Sequence, residues 1–166
     1  MAIGMAFADA LRAINTMKAE NVIEDYAIAG AMALVFWTEP VPTWDLDVLV
    51  FLRSGPGPLV SLAGIYGWSS ARGYPVHKEH VIIEGVPTQF LASAGTLADE
   101  AIQTAATLEY EDVPTRVVVP EYLVALYLLP EARTAKRRER AAMLLEWPGL
   151  NRERLDAILK QHGLSF

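Results

Sequence analysis

The chain contains no cysteine. A disulfide framework, a thiolate zinc site and a cysteine nucleophile are thereby excluded. It has no excess of positive charge either: 14 Lys and Arg stand against 20 Asp and Glu, for a net charge of -6. A protein that coats a duplex is basic, because it must neutralise phosphates. Extended duplex DNA binding is excluded on that ground, whereas a local basic patch gripping one RNA end is not. Long hydrophobic runs are missing too. The longest apolar stretch, Tyr26 to Trp37, is too short to span a bilayer and runs into Thr38-Glu39-Pro40. Asp9 and Arg12 interrupt the first residues, and no basic region precedes an apolar block. No signal peptide and no membrane contact are expected, and the cytoplasm is the expected compartment. There is no internal repeat and no low-complexity segment.

What is present is apolar and evenly distributed. Of the 166 residues, 52% are hydrophobic, which excludes overall disorder and suffices for one domain with a sizeable core. Apolar positions at Phe7, Ala10, Leu11, Ile14 and Met17 predict an amphipathic helix over 7–20. Tyr26 to Ala29 reads as a buried strand. Ala31 to Trp37 reads as a short helix ended by Glu39-Pro40-Val41-Pro42, because proline cannot donate to the helical ladder. Asp45 to Leu52 (DLDVLVFL) is the clearest strand, followed by a loop at 54–58 and a helix over 59–71. The runs 80–84 and 87–91 around Gly85-Val86 predict a hairpin. A helix is expected over 96–107 with Thr96 as its N-cap, then strands over 108–112 and 115–119.

After Pro120 the texture is helical. Segments 121–129, 133–146 and 152–161 carry helical spacing, with Pro120 suited to a first helical position, Asn151 to an N-cap and Gly163 to a C-terminal stop. Leu123, Leu126, Tyr127, Leu144, Leu145, Leu155 and Ile158 are expected to bury these helices against one another. The fold class expected is therefore α/β or α+β. A mixed sheet flanked by helices occupies 1–119, and a helical segment over 120–166 packs on it as one compact unit.

The chemistry is concentrated at Gly30-Ala31 and, after thirteen intervening residues, Asp45-Leu46-Asp47-Val48. Residues two apart on a strand share a face, so Asp45 and Asp47 are expected to project together, opposite Leu46 and Val48. Two adjacent carboxylates repel unless a cation sits between them. Magnesium prefers such oxygen donors, often one or two carboxylates completed by substrate phosphates. A glycine between strand and helix lets a phosphate approach the backbone, and the helix start offers free N–H groups. Taken alone, an Asp-Leu-Asp spacing is equally that of two solvated acids on an edge strand, and a lone Gly30 is an ordinary turn residue. It is their order and distance that make a site.

This pattern, Tyr26-Ala27-Ile28-Ala29-Gly30-Ala31 followed by Thr43-Trp44-Asp45-Leu46-Asp47-Val48, resembles the nucleotidyltransferase superfamily signature. The likeness is to its small AbiEii-like branch, often associated with toxin–antitoxin systems. Gly85-Val86-Pro87-Thr88-Gln89-Phe90-Leu91 resembles the family's third-carboxylate strand, and Pro120-Glu121-Tyr122-Leu123 with Arg133, Lys136 and Arg140 resembles its C-terminal helical section. The resemblance spans roughly residues 22 to 162. It implies transfer of a nucleoside monophosphate from an NTP to a hydroxyl on an RNA end or protein, with Mg2+ or Mn2+ as cofactor. A cognate toxin or antitoxin protein is the implied partner. Asp45 and Asp47 would be catalytic and hold metal, while Gly30, Ala31, Thr43 and Lys136 would bind nucleotide.

Three departures stand out. Gln89 occupies the place of the third Asp or Glu, and an amide can coordinate a cation but cannot serve as a base. Val41 stands where many relatives carry Arg, and Arg137 follows Lys136 where they often carry Asp. Glu84, across the hairpin, is a second candidate for the third position. These departures support an alternative, a nucleotidyltransferase-fold binding or regulatory protein without turnover. A purely structural role has no residue pattern in its favour.

Other features have plainer readings. His77 and His80 lack an evident third metal ligand and are expected on a surface hairpin. The basic run Arg133, Lys136, Arg137, Arg138 and Arg140 reads mainly as a solvated face stitched to Glu131, Glu139 and Glu146, apart from Arg133 and Lys136. Trp37, Trp44, Trp68 and Trp147 are expected to pack in the core or an interface, although Trp44 is placed to line a base pocket.

Overall fold

The computed structural model describes residues 3–38, 43–52, 61–130 and 134–166, and the side chains of these from residue 6 onward. The elements run α1 (Ile3–Ala19), β1 (Asp25–Ala29), α2 (Gly30–Trp37), β2 (Leu46–Phe51), α3 (Ala63–Ala71), β3 (Val76–His77), β4 (His80–Ile83), β5 (Val86–Ala92), α4 (Thr96–Gln103), β6 (Ala106–Tyr110), β7 (Val113–Val117), α5 (Pro120–Tyr127), α6 (Ala135–Glu146) and α7 (Arg152–His162). The strands form one mixed sheet in the order β3-β4-β5-β2-β1-β7-β6. β1 and β2 pair antiparallel at its centre, each with a parallel neighbour on its far side, β7 and β5 respectively. No described helix is long and apolar enough to cross a membrane.

Alternation along the central strands builds two cores. Tyr26 and Ile28 of β1 with Leu46, Val48 and Val50 of β2 face α1 and α3, where Leu11, Ile14, Met17 and Ile65 are fully buried. Ala27, Ala29 and Leu49 face the opposite side and pack with α4, α5 and α7 through Ile102, Leu123, Leu155 and Ile158. The period of two in the strands and of 3.6 in α1 predicts this partition residue by residue. Small side chains at Ala27 and Ala29 let the second helical layer approach the sheet.

Several boundaries differ from the sequence expectation. The helix at 96 ends at Gln103, because Thr104 and Ala105 turn back onto Glu100 and Ile102 and Ala106 then pairs with Val117. Gly95, not Thr96, is its N-cap, and no side chain caps it. The last two strands sit two residues earlier than expected. Glu111 and Asp112 both take positive φ (46° and 65°), so the tight turn falls on an acidic pair in place of the usual Asn-Gly. The helix expected over 59–71 begins at Ala63, and positions 59–60 lie outside the described residues. So do the 39–42 stop, the 54–58 loop, Arg133 and Glu131. At the other end, Pro120 does open α5, Asn151 caps α7 by accepting from Arg154 N–H at 2.9 Å, and Gly163 is left-handed at φ 65°.

One polar knot fastens the helices of the second layer. Glu100 of α4 accepts from Tyr122 Oη (3.0 Å), His162 Nε2 (2.9 Å) and Gln161 Nε2 (3.0 Å). The hydrogen bond from His162 above all, and that from Tyr122, hold its carboxyl below the usual 4.5 despite partial burial. A carboxylate lowered in the folded state contributes stability above its unfolded value, and that contribution is lost as pH falls through the folded value. Glu100→Ala is expected to cost about 1–2 kcal/mol at pH 7, given partial exposure. Urea unfolding at pH 7 and again well below pH 4.5 should show the gap between wild type and variant closing at acid pH.

Candidate active site

Gly30 is the bend between β1 and α2, with φ +61°. The β1–β2 register sets Ala29 opposite Asp47, so the bend lies against that carboxylate. The approach is close enough that a Cβ on Gly30 would overlap the Asp47 carboxylate and come within 3.0 Å of its Cγ. The start of α2 and the Asp47 carboxylate are therefore in direct contact, the neighbourhood that the strand–glycine–helix–strand spacing predicts. Tyr127 of α5 ties down the bend, donating a hydrogen bond from its hydroxyl to Gly30 O at 2.9 Å. Burial drives the Tyr127 phenol to about 12, so the donor keeps its proton.

Asp45 precedes β2 by one residue and is half-exposed, while Asp47 is more enclosed. Leu46 and Val48 are fully buried on the other face. Burial first, and the neighbouring Asp45 charge second, push the Asp47 carboxyl above the usual 3.8. Arg137, Arg140 and His80 pull it back down without cancelling the shift. A buried carboxylate held next to a second one is a poor way to stabilise a fold and a good way to attract a cation.

On the other side of β2, Asp47 is in register with Gln89 of β5. The third position of the row is therefore an amide. Glu84 does not replace it. It occupies the Glu84-Gly85 turn with φ 51°, accepts a hydrogen bond from Tyr74 Oη at 2.8 Å and lines neither cavity flanking the aspartates. The two positive φ values there make the hairpin tight, which turns Glu84 out to solvent.

Sequence reasoning missed His80. Its hairpin with His77 is as expected, paired across Lys78-Glu79. Val81 pairs with Thr88, however, and one step further along that antiparallel ladder brings His80 level with Gln89. Its Nε2 lies 3.7 Å from Asp45 Oδ2. The β4–β5 register was the one available signal, and it is legible only once β5 is laid beside β2. Arg137 and Arg140 were missed as well. They lie three apart on one face of α6, half-buried and turned to Asp47, whereas Lys136, Arg138 and Glu139 are exposed. Thr43 donates to Asp45 O at 3.1 Å and so shapes the approach to β2. Ala31 is buried one residue past the bend.

Asp47 lines one cavity and Asp45 another. One, of about 580 Å³, reaches from Gly30 and Asp47 past Leu49 and Leu123 to Arg137 and His162 and is mostly apolar. The other, of about 400 Å³, is lined by Trp44, Asp45, His77, His80, Lys136 and Arg140 among others. Among the described residues no group of three or more metal-ligating side chains is assembled. Two carboxylates fit a hard dication that completes its shell with phosphates and water, and do not fit an all-protein cage.

This fold recurs in solved structures. The solution structure of the antibiotic-resistance factor ANT(2'')-Ia superposes with TM-score 0.59 at 16% identity, over 96% of this chain and 92% of that one. ANT(2'')-Ia in complex with adenylyl-2''-tobramycin gives 0.55 at 15%, over 89% and 91%. An antigenic nucleotidyltransferase-like protein from Paracoccidioides brasiliensis gives 0.53 at 15%, over 95% and 86%. The chain has a nucleotidyltransferase fold. No family model matches the sequence, and no curated protein does. At identities this low the likeness is one of fold.

Proposed function

We propose that the protein transfers a nucleoside monophosphate from an NTP to an acceptor hydroxyl, in a divalent-metal-dependent reaction. The observation that carries this reading is the contact between the Gly30 bend and the Asp47 carboxylate, with Asp45 beside it. Phosphates need backbone donors and a cation at one place; the Gly30 bend opens a helix, and the two carboxylates beside it would hold the cation. Asp45 and Asp47 would hold Mg2+ or Mn2+, which when bound offsets charge on the phosphates and on the attacking oxygen. The larger cavity suits base and sugar, with Arg137 at the phosphate end. Tyr127 keeps the bend in place through Gly30 O. The acceptor oxygen forms a bond to the α-phosphorus, the bond to the β-bridging oxygen breaks, pyrophosphate leaves and the hydroxyl proton ends in solvent.

Gln89 favours a second reading, nucleotide binding without turnover. It is level with Asp47, where a carboxylate would help take the acceptor proton, and an amide cannot. Labelled NTPs incubated with magnesium or manganese and with cell RNA and protein separate the two. Label on an acceptor supports transfer. A specific NTP-dependent rise in melting temperature with no label on any acceptor, across all four NTPs and both metals, establishes the second reading and ends the first.

A further inference from the structure

Trp44 is 69% exposed, against the expectation that it packs in the core. The larger cavity carries a more specific arrangement. Five of its described lining side chains have polar atoms: Asp47, Thr96, Tyr127, Arg137 and His162. Asp47 and Arg137 bear the charges that suit a cation and phosphates. Tyr127 donates its hydroxyl to Gly30 O at 2.9 Å. The Thr96 hydroxyl can donate or accept, so it does not choose between partners. His162 remains, and its ring is held in one sense. Its side chain is only 12% exposed. Nε2 lies 2.9 Å from Glu100 Oε2, the oxygen that also accepts from Tyr122 Oη at 3.0 Å. A carboxyl held below its usual value is ionised at neutral pH and only accepts, so Nε2 carries the proton. In a neutral imidazole the other nitrogen, Nδ1, is then an acceptor. No protein group among the described residues bonds to it. It is left for a donor that enters the cavity.

α5 sets the direction of this cavity. Tyr127, at its C-terminal end, reaches Gly30. Tyr122, five residues earlier, reaches the Glu100 oxygen that holds His162. Five residues are about 7.5 Å of helix rise. A nucleotide with its phosphates at Gly30 and Asp47 therefore runs its base toward His162, past the apolar Leu49 and Leu123. Adenine and cytosine carry an exocyclic amine on the edge remote from the sugar, where guanine and uracil carry an oxygen. An acceptor bonds to the amine and repels the oxygen.

We propose that His162 is the specificity residue for the nucleobase, and that the larger cavity takes an NTP whose base bears an exocyclic amine, adenine or cytosine. Glu100 is the positioning residue that fixes the tautomer of the ring. This rests on the nucleotide-binding part of the function proposed above, with or without turnover. Affinities for ATP, ITP, CTP and UTP with magnesium are measured by calorimetry at about pH 8.5, where an imidazole is neutral. ITP is ATP with oxygen in place of the amine, and UTP is the same change made on CTP. Wild type should favour the amine in at least one pair by about tenfold, the scale of one hydrogen bond gained against one repulsion. His162→Gln places an amide nitrogen where Nε2 was, so the bond to Glu100 and the urea midpoint should persist, but it has nothing at Nδ1. Its ratio within each pair should fall to about one, through weaker ATP or CTP binding with ITP and UTP unchanged.

A wild-type ratio near one in both pairs, a preference for the oxygen, or a ratio unchanged in His162→Gln overturns the base assignment and leaves the nucleotide site standing. An equal loss for all four nucleotides in His162→Gln marks a structural role for the ring and overturns it too. Wild type that binds none of the four overturns the nucleotide reading beneath it as well.

Discussion

Asp47→Asn is expected to raise the melting temperature of the unliganded protein and to erase its response to NTP with magnesium. The two effects have one origin. Asp47 is enclosed, it repels Asp45, and Arg137, Arg140 and His80 only partly compensate, so its carboxyl sits above the usual value. Asparagine keeps the shape and removes the charge. Relieving one unfavourable charge is worth about 0.5–2 kcal/mol, or roughly 2–6 °C for a chain of this size. On the proposed function the same carboxylate is half of the cation site. A ligand that binds only the folded state adds about 2.7 kcal/mol at a hundred times its Kd. In Asp47→Asn that increment should vanish, and transfer should fall by about a hundredfold or more, the scale of removing one electrostatic element from a preorganised site. Differential scanning calorimetry with and without NTP and metal, beside a labelled-transfer assay, reads both halves. A variant less stable than wild type when unliganded, or one that still responds fully to NTP, would refute the assignment.

Stability and the proposed function are thus opposed at one residue, and the same contrast runs through which parts of the molecule were legible in advance. Elements whose burial follows a simple period were readable: the Phe7, Leu11 and Ile14 stripe of α1, the alternation of Leu46, Val48 and Val50, and the Asn151 and Gly163 boundaries of α7. Elements decided by pairing were not. β3 is two residues long and exists only because Val76 and His77 pair with β4. β6 starts where Ala106 meets Val117, against the helical texture that runs to Thr107. The site divides in the same way. Gly30, Asp45 and Asp47 were legible because chain spacing alone brings them together. Gln89 was named from the family resemblance, and the parallel β2–β5 register sets it level with Asp47; His80 comes near only through one more strand beyond it. Arg137 and Arg140 depend on how α6 is rotated, which a run of cations does not reveal. Each residue missed is separated from the aspartates by at least one tertiary pairing step.

Gly30→Ala tests the crevice by geometry and leaves every charge in place. The backbone at Gly30 has φ +61°, where an L side chain costs roughly 1–2 kcal/mol. Space is lacking as well: a Cβ there overlaps the Asp47 carboxylate, whose Cγ lies 3.0 Å away, and Asp47 cannot retreat far because its strand pairs on both sides, with β1 and β5. Tyr127 donates to Gly30 O, so the bend itself is restrained. The expected result is a loss of about 2–3 kcal/mol in urea unfolding, with the NTP-dependent melting shift abolished. Asp47→Asn should not rescue it, since the amide fills the same space as the carboxylate. Gly30→Ala in an Asp47→Ala background removes the colliding group and should recover the steric part of the loss, leaving about 1–2 kcal/mol for the positive φ. Additive losses in the double variant would mean that Gly30 and Asp47 are not in contact, and the phosphate-and-metal crevice would then have no basis.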